Sequence, residues 1–355
     1  MADFVREFPI PRPLAAPLRA ALRGEPDAWP RLSAAEVRTL VEHGIAPLVY
    51  AAARVPELRD EAIRAAALET RREADLREVL GALAARGVEL LLLKGTALAY
   101  ELYAAPELRP RGDTDLLVRR ESMGEVRAAL TALGFREHDT SGDEHALHQT
   151  LFTRGGHAYD VHWKVTNHPL FAYGFYELFA RSRTIAGLGR TLSHEDALLL
   201  ACVHRVLHHH DSERLIWLAD IALLRDAMTR DEHERFWRMA AADRAVQVSA
   251  RSIALADAWF SRAPRHGAEE WLSDEERTRD ERSSVFLDRE LTNAGVLLAS
   301  LHALPWRARM QRLRQLAFPP AKFMRARFGS GKSLPLLYVR RGARGVLRLF
   351  RRAAE

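Results

Sequence analysis

The chain contains very little cysteine and has no long apolar run. Cys202 is the single cysteine among 355 residues, which excludes an intrachain disulfide and a cysteine-rich metal site. The longest apolar runs, such as residues 88–93, are far shorter than the roughly 20 residues that a membrane span needs. Residues 1–14 contain acids and prolines and lack the apolar region of a secretory signal. These absences predict a soluble, cytosolic protein without a membrane span.

The charge balance is basic and comes mostly from arginine. Lysine and arginine number 53 and the acids 47, which gives a formal net charge of +6. The spread of these residues favours an arginine-rich surface, because a nucleic-acid site needs charge clustered on one face. From Trp306 onward the chain is strongly basic. This tail is either a terminal helix packed on its own domain or an amphipathic helix for acidic lipid or nucleic acid. Nucleic acid is therefore an open but unsupported partner.

Helical patterns lie on both sides of one β-containing segment. Helical periodicity runs from about residue 14 to 86, with one long amphipathic helix or two in line over 57–86 that Gly87 ends. A chain of this length suggests two or three domains. We predict an N-terminal helical region at 1–86, a β-containing core at 87–192, a C-terminal helical domain at 193–300 and a basic helical tail at 301–355.

The segment 87–192 alternates short apolar runs with turn signals. Residues 88–93 are predicted as a buried strand, and Lys94-Gly95-Thr96 as a turn before a helix. The sequence DTDLLV at 113–118 predicts a second strand. Gly155-Gly156 between two further runs is typical of a hairpin. The predicted fold class is therefore α+β, a small mixed sheet with helices inside a helical protein.

Three aspartates in this segment carry the most informative chemistry. Asp113 and Asp115 are two apart on a predicted strand, so their side chains share a face, and carboxylates this close repel unless a cation lies between them. Asp160 on the hairpin would complete a clamp for two Mg²⁺ ions about 3.5–4 Å apart. The alternatives are a solvated pair at 113 and 115, and an Asp160 paired with His162 or Lys164.

The order of these motifs resembles a known superfamily. Gly95-Thr96, Asp113-Thr114-Asp115 and Asp160 are similar to the nucleotidyltransferases of DNA polymerase β-like fold. Over about 85–225 the chain looks more closely like an uncharacterised bacterial nucleotidyltransferase family with the pattern LKG…R…DxDLLV…DxHW. Abortive-infection nucleotidyltransferase toxins share a similar KGGT start, whose second glycine is absent here.

The resemblance implies a Mg²⁺-dependent enzyme with two metal ions. It would move a nucleoside monophosphate from an NTP to an unidentified acceptor hydroxyl and release pyrophosphate. The aspartates would ligate the metals, and the third would also help to deprotonate the acceptor. The Gly turn would hold the β- and γ-phosphates, and two cations would neutralise phosphate charge. The implied residues are the catalytic and metal-binding Asp113, Asp115 and Asp160 and the phosphate-binding Lys94, Gly95, Thr96 and Arg111.

Several alternatives stay open at the level of sequence. The chain could be a non-catalytic module that binds a nucleotide or a partner on the same fold, or a toxin-type enzyme that modifies RNA. His204 and His208 have an i,i+4 spacing that suits zinc, but no third ligand is evident. Residues 214–220 match an RLxWLxD helix of the similar family, which implies that this helix lines the pocket. Core packing of Trp217 and a salt bridge or cap at Asp220 are the structural alternatives.

Overall fold

Helices make up most of the chain and surround one mixed sheet. The structure, a computed structural model, describes residues 9–25, 29–138, 148–166, 173–261, 267–279, 281–287, 293–302, 306–319, 321–328 and 333–349. The helices in these ranges are α1 Arg12–Leu22, α2 Ala34–Glu42, α3 Ala46–Ala53, α4 Arg59–Ala84, α5 Lys94–Glu101, α6 Met123–Ala132, α7 Phe175–Ala180, α8 His194–Leu207, α9 Leu215–Ala227, α10 Arg230–Ala242, α11 Val246–Phe260, α12 Asp274–Thr278, α13 Asn293–His302, α14 Trp306–Ala317, α15 Ala321–Phe328 and α16 Leu334–Leu349. The strands are β1 Leu90–Leu93, β2 Thr114–Val118, β3 Arg136–His138, β4 Gln149–Arg154, β5 His157–His162, β6 Arg183–Ile185 and β7 Gly189–Thr191.

Helix α4 is one continuous helix. The sequence predicts either one long helix or two in line over residues 57–86, and the first alternative is correct. It buries Leu76, Val79 and Leu83, whose spacing places them on one face. After its C-terminus, Gly87 adopts a φ of +68°, in the left-handed region that ends helices and favours glycine. The chain then turns directly into β1, which explains the change from helical periodicity to a continuous apolar run.

The strands of the described residues form one sheet in the order β3-β4-β5-β2-β1-β7-β6. Strand β1 is antiparallel to β2, and β2 is parallel to β5. Strands β4 and β5 form the predicted hairpin, in which Gly155 and Gly156 have φ values of +55° and +88°. Two successive left-handed residues are what a tight two-residue hairpin turn requires. The α+β fold with a mixed sheet is thereby confirmed.

The central strands are buried on both faces. Leu91, Leu93 and Leu117 pack into a large core with helices that precede and follow the sheet segment in the chain, including α1, α8 and α9. Leu92 and Leu116 alternate with them and pack into a second core with α4 and α6. This two-sided burial is why β1 reads as an unbroken apolar run rather than an alternating one.

The described helices include none that is both long and apolar enough to cross a lipid bilayer. The longest, α4, has charged residues distributed along its length.

Candidate metal and nucleotide site

Two parallel strands bring the acidic cluster together. In the pairing of β2 with β5, Asp115 lies opposite Asp160 and Leu117 lies opposite His162. Because side chains alternate along a strand, Asp115, Asp160 and His162 point to the same face. One ligand atom from each of these three residues lies within 4.8 Å of the other two. Among the described residues, these three form the one group of carboxylate, histidine or cysteine side chains close enough to hold a metal ion together.

Asp115 is the centre of the cluster. It is 5% exposed, and its Oδ1 accepts hydrogen bonds from Lys94 Nζ at 2.7 Å and pairs with His162 Nε2 at 2.9 Å. Burial raises the pKa of Asp115, but the positive charge of Lys94 and the contact with His162 outweigh it and lower the pKa well below its usual range. Asp115 is therefore a permanent anion in the metal-free protein.

Asp160 behaves in the opposite way. Burial raises its pKa to about 7, with further contributions from the negative charges of Asp115 and Asp113. Its Oδ2 accepts a hydrogen bond from Gln149 Nε2 at 3.1 Å, which opposes the shift only weakly. Neighbouring carboxylates with pKa values pushed this far apart indicate a site short of positive charge.

Asp113 lies beside the cluster but not in it. It precedes β2, keeps solvent-exposed surface, and is not one of the three grouped ligands. Its pKa is raised, mainly because the surrounding protein limits its hydration and next because Asp115 is negative. The two acids that the sequence placed on one strand therefore differ in their surroundings. Asp115 is buried within β2, whereas Asp113 comes just before the strand and is exposed.

Lys94 joins the turn to the acids. Its backbone φ of +50° is left-handed, a conformation that costs a residue with a Cβ roughly 1 kcal/mol or more and concentrates at functional sites. Burial lowers the pKa of Lys94, but Asp115, Asp113 and Asp160 outweigh it and the net shift is upward. The predicted turn is also the first turn of α5, so Lys94 both begins that helix and neutralises Asp115.

Gly95 and Thr96 are buried at the start of α5. The Thr96 hydroxyl lies 3.5 Å from the Thr114 hydroxyl, which ties α5 to β2. A Cβ on Gly95 would lie 2.7 Å from Arg109 Nη1 and 2.8 Å from its Cζ. Glycine is thus required here by the close approach of a guanidinium group.

Replacing Gly95 with alanine should destabilise the protein by about 1–3 kcal/mol. The added methyl group would overlap a guanidinium group that Asp220 holds in place. Urea unfolding followed by circular dichroism measures the change. Gly81→Ala is the matched control, because nothing lies within 4 Å of its added Cβ in α4 and alanine is favoured in a helix, so it should stabilise by about 0.5–1 kcal/mol. Equal effects of the two substitutions would contradict the contact.

Arg111 is not brought to the acidic cluster. Its Nη1 and Nη2 each donate to Glu69 of α4 at 2.7 Å, and its side chain is 2% exposed. The Tyr100 hydroxyl donates to the same carboxylate at 2.6 Å. Of the two cations predicted to meet phosphate, the structure therefore brings Lys94 to the aspartates and pairs Arg111 with Glu69.

Arg109 forms a second buried network, which sequence reasoning missed. Its Nε and Nη2 donate to the two oxygens of Asp220 at 3.1 and 2.6 Å, and Tyr103 Oη donates to Asp220 at 2.8 Å. Asp220 lies on α9, so the network fixes that helix against the loop that leads into β2. The RLxWLxD match indicated Asp220, whereas nothing in the sequence distinguished Arg109 from the many other arginines.

The family is decided by a comparison of the sequence with known families. The profile of an uncharacterised nucleotidyltransferase family matches residues 29–261. The chain belongs to this nucleotidyltransferase family. The predicted family is confirmed, and the matched region extends beyond 85–225 into the helices on both sides.

Comparisons with individual proteins add little to this. The antibiotic-resistance factor ANT(2'')-Ia in solution is 20% identical with a TM-score of 0.30, over 54% of this chain and 93% of that one. The crystal structure of ANT(2")-Ia in complex with adenylyl-2"-tobramycin is 19% identical with the same TM-score, over 52% and 97%. No curated protein matches the chain.

A set of aromatic rings from α8, the turn after it and α9 lies near Lys94. The His204 ring packs on His208 and His209, and His209 lies 4.1 Å from the Trp217 ring, centroid to centroid. Burial, then the positive charge of Lys94, lowers the pKa of His209 to about 3 and that of His204 well below its usual range. Within the described ranges none of His204, His208 and His209 belongs to a group of three metal ligands.

The residues present fit a divalent cation. Asp115 and Asp160 offer carboxylate oxygens and His162 offers an imidazole nitrogen, all on rigid strands. The pKa of His162 is lowered, first by burial and then by Lys94, so the ring is neutral. In the metal-free protein its Nε2–H donates to Asp115, so ligation through Nε2 would require the tautomer that carries its proton on Nδ1. His162 was considered from sequence as a partner of Asp160, and the structure pairs it with Asp115.

Proposed function

We propose that this protein is a metal-dependent nucleotidyltransferase that moves a nucleoside monophosphate from an NTP to an acceptor hydroxyl. The observation that carries the proposal is the in-register pairing of Asp115 with Asp160, which gathers two carboxylates and His162 within 4.8 Å. Membership of the nucleotidyltransferase family supports the same reaction class. Mg²⁺ or Mn²⁺ is the proposed ion, held by Asp115, Asp160 and His162, with Asp113 nearby at the start of β2.

The proposed reaction forms one bond and breaks one. The acceptor oxygen attacks the α-phosphorus, the bond from that phosphorus to the bridging oxygen breaks, and pyrophosphate leaves. A bound divalent cation would supply positive charge for the phosphate oxygens and favour the ionised acceptor. We assign the proton acceptor to Asp160, the acid to which the family resemblance gives this role; its pKa of about 7 belongs to the metal-free protein and would fall once a cation is bound.

The remaining residues of the turn are proposed to bind and orient the triphosphate of the NTP. Lys94 neutralises Asp115 in the metal-free protein, and once a cation has taken that role its ammonium group is available to the triphosphate. The backbone N–H groups of Gly95 and Thr96 at the start of α5 are the proposed contacts for the β- and γ-phosphates. Arg111 acts through Glu69 by fixing the chain just before Asp113.

The proposal is tested by binding and turnover together. Isothermal titration with Mg²⁺, with Mn²⁺ and with each NTP measures binding, and pyrophosphate release in the presence of pooled hydroxyl acceptors measures transfer. We expect NTP binding that depends on the metal, and pyrophosphate release that Asp160→Asn abolishes. Binding without any release would favour a module that holds a nucleotide, and an absence of both would exclude the proposal.

Metal affinity should fall as the pH drops below about 7. In the metal-free protein Asp160 then carries a proton that the cation has to displace, which weakens binding by up to about tenfold per pH unit. A carboxyl pKa raised in the folded state also means that the metal-free protein loses stability as the pH rises from the ordinary carboxyl pKa of 3.8 to about 7. Manganese titrations followed by electron paramagnetic resonance across this range measure the first effect. Asp160→Asn should remove the pH dependence, and a wild-type affinity independent of pH would contradict it.

A further inference from the structure

Charge is segregated between the body of the chain and its C-terminal end. Residues 291–355, here called the basic segment, contain fourteen lysine and arginine residues and a single acid, Glu355. Residues 1–290 contain 39 basic and 46 acidic residues. The net charge of +6 therefore combines a negative body with a basic segment of net charge +13. A density of positive charge this high indicates an anionic surface as partner.

Helix α14 presents an apolar stripe between its arginines. Trp306, Met310 and Leu313 follow an i, i+4, i+7 spacing, so they lie on one helix face. They are 67%, 45% and 38% exposed, respectively. Arg307 and Arg314 are also exposed and follow Trp306 and Leu313 in the chain, which places them along one side of the stripe.

Further exposed apolar side chains lie just after α14 and on α16. Phe318, just after α14, is 68% exposed, and its ring lies 5.9 Å from the Tyr338 ring of α16, centroid to centroid. The Tyr338 hydroxyl donates to the Pro319 carbonyl at 2.6 Å, which joins the two helices. Leu336 and Val339 of α16 are 52% and 68% exposed.

This exposure is not the result of an unfolded end. Leu301, Met324 and Leu337, from α13, α15 and α16, are 7%, 0% and 0% exposed, so each of these helices buries an apolar side chain, and Val296 and Ala299 of α13 pack against the large core. Large apolar side chains left exposed on such helices, beside arginines, are typical of a surface that binds something apolar and anionic together.

We propose that the basic segment docks this protein on an anionic lipid bilayer, with Trp306, Met310 and Leu313 inserted among the headgroups. An interfacial helix needs an apolar face bordered by basic residues, and tryptophan suits the boundary between acyl chains and water. The arginines bind the anionic headgroups while the apolar stripe enters the boundary. Nucleic acid would use the same arginines, but it offers no apolar phase for Met310, Leu313 and Val339.

Vesicle sedimentation with the full-length protein tests the proposal. We expect binding to vesicles of equimolar phosphatidylcholine and phosphatidylglycerol, and none to phosphatidylcholine alone. The triple variant Trp306→Ala, Met310→Ala, Leu313→Ala should weaken binding at least about tenfold. The double variant Arg307→Glu, Arg314→Glu should weaken it by about 100-fold. Circular dichroism and nucleotide binding verify that each variant is folded.

A control variant removes three exposed apolar side chains elsewhere in the chain. Val41, Ile63 and Leu68 are 38%, 55% and 40% exposed on α2 and α4, and their triple alanine variant should bind vesicles like the wild type. Equal weakening by both triple variants would overturn the proposal.

Two other results would also overturn it. The first is tight, salt-sensitive binding of an RNA fragment that the alanine variant at 306, 310 and 313 retains, with no vesicle binding, since the segment would then be a nucleic-acid surface. The second is a dimer in light scattering that the same variant dissociates, with no vesicle binding, since a second copy would then cover the stripe.

Discussion

Asp115→Asn should reduce nucleotide transfer by about 10³-fold or more and weaken Mn²⁺ binding by at least about 100-fold. The substitution removes the carboxylate that Lys94 and His162 both contact, and with it one of the three grouped ligands. It also leaves the ammonium of Lys94 without its closest counter-ion. Pyrophosphate release measures the first effect, and electron paramagnetic resonance of Mn²⁺ measures the second.

Asp113→Asn is the matched control for this experiment. It makes the same chemical change two residues earlier, at an exposed position outside the grouped ligands. We expect it to weaken Mn²⁺ binding by less than about tenfold in the absence of nucleotide. If Asp113→Asn weakened binding as much as Asp115→Asn, the ligand set would be the aspartate pair implied by the family resemblance rather than Asp115 with Asp160 and His162.

Asp220→Asn should destabilise the folded protein by about 3–5 kcal/mol, because it leaves a buried guanidinium group without its counter-charge. The side chains of Arg109 and Asp220 are only 9% and 6% exposed. Tyr103 would also exchange a charged acceptor for a neutral one. The free energy of unfolding in urea is the measurement.

Two control variants show whether the loss of stability comes from the buried charge that Asp220→Asn leaves without a partner. The double variant Arg109→Met, Asp220→Leu removes both charges and should lie within about 2 kcal/mol of the wild type. Glu61→Gln breaks an ion pair with Arg64, whose side chain is 63% exposed, and should cost less than about 0.5 kcal/mol. A loss below about 1 kcal/mol for Asp220→Asn would show that the network does not hold α9 in place.

Local patterns were enough to predict the elements around the site. The apolar run at 88–93, the hairpin at Gly155-Gly156 and the helix ended by Gly87 each depend on residues close in the chain, and the structure has all three. The even spacing from Asp160 to His162 also fixed that both would lie on one face. These features follow from periodicity and from the conformational freedom of glycine, which a sequence expresses directly.

The partners of the charged residues were decided by the tertiary structure. Arg109 and Arg111 are two apart in an arginine-rich chain, yet one pairs with Asp220 and the other with Glu69 across long sequence separations. Nothing local distinguishes the two. Only the packing of α4 and α9 against the sheet brings the carboxylates within reach and leaves Lys94 as the cation beside Asp115.

The sequence by itself determined the family and the α+β class, and it singled out Asp113, Asp115 and Asp160 as candidate ligands without specifying which of them face one another. The tertiary structure decided that His162 completes the group of Asp115 and Asp160 and that Asp113 stands outside it. The physical reason is the register between β2 and β5: a parallel pairing shifted by one residue would have turned Asp160 and His162 to the opposite face. Register depends on how two strands distant in sequence pack, and no spacing within either strand specifies it.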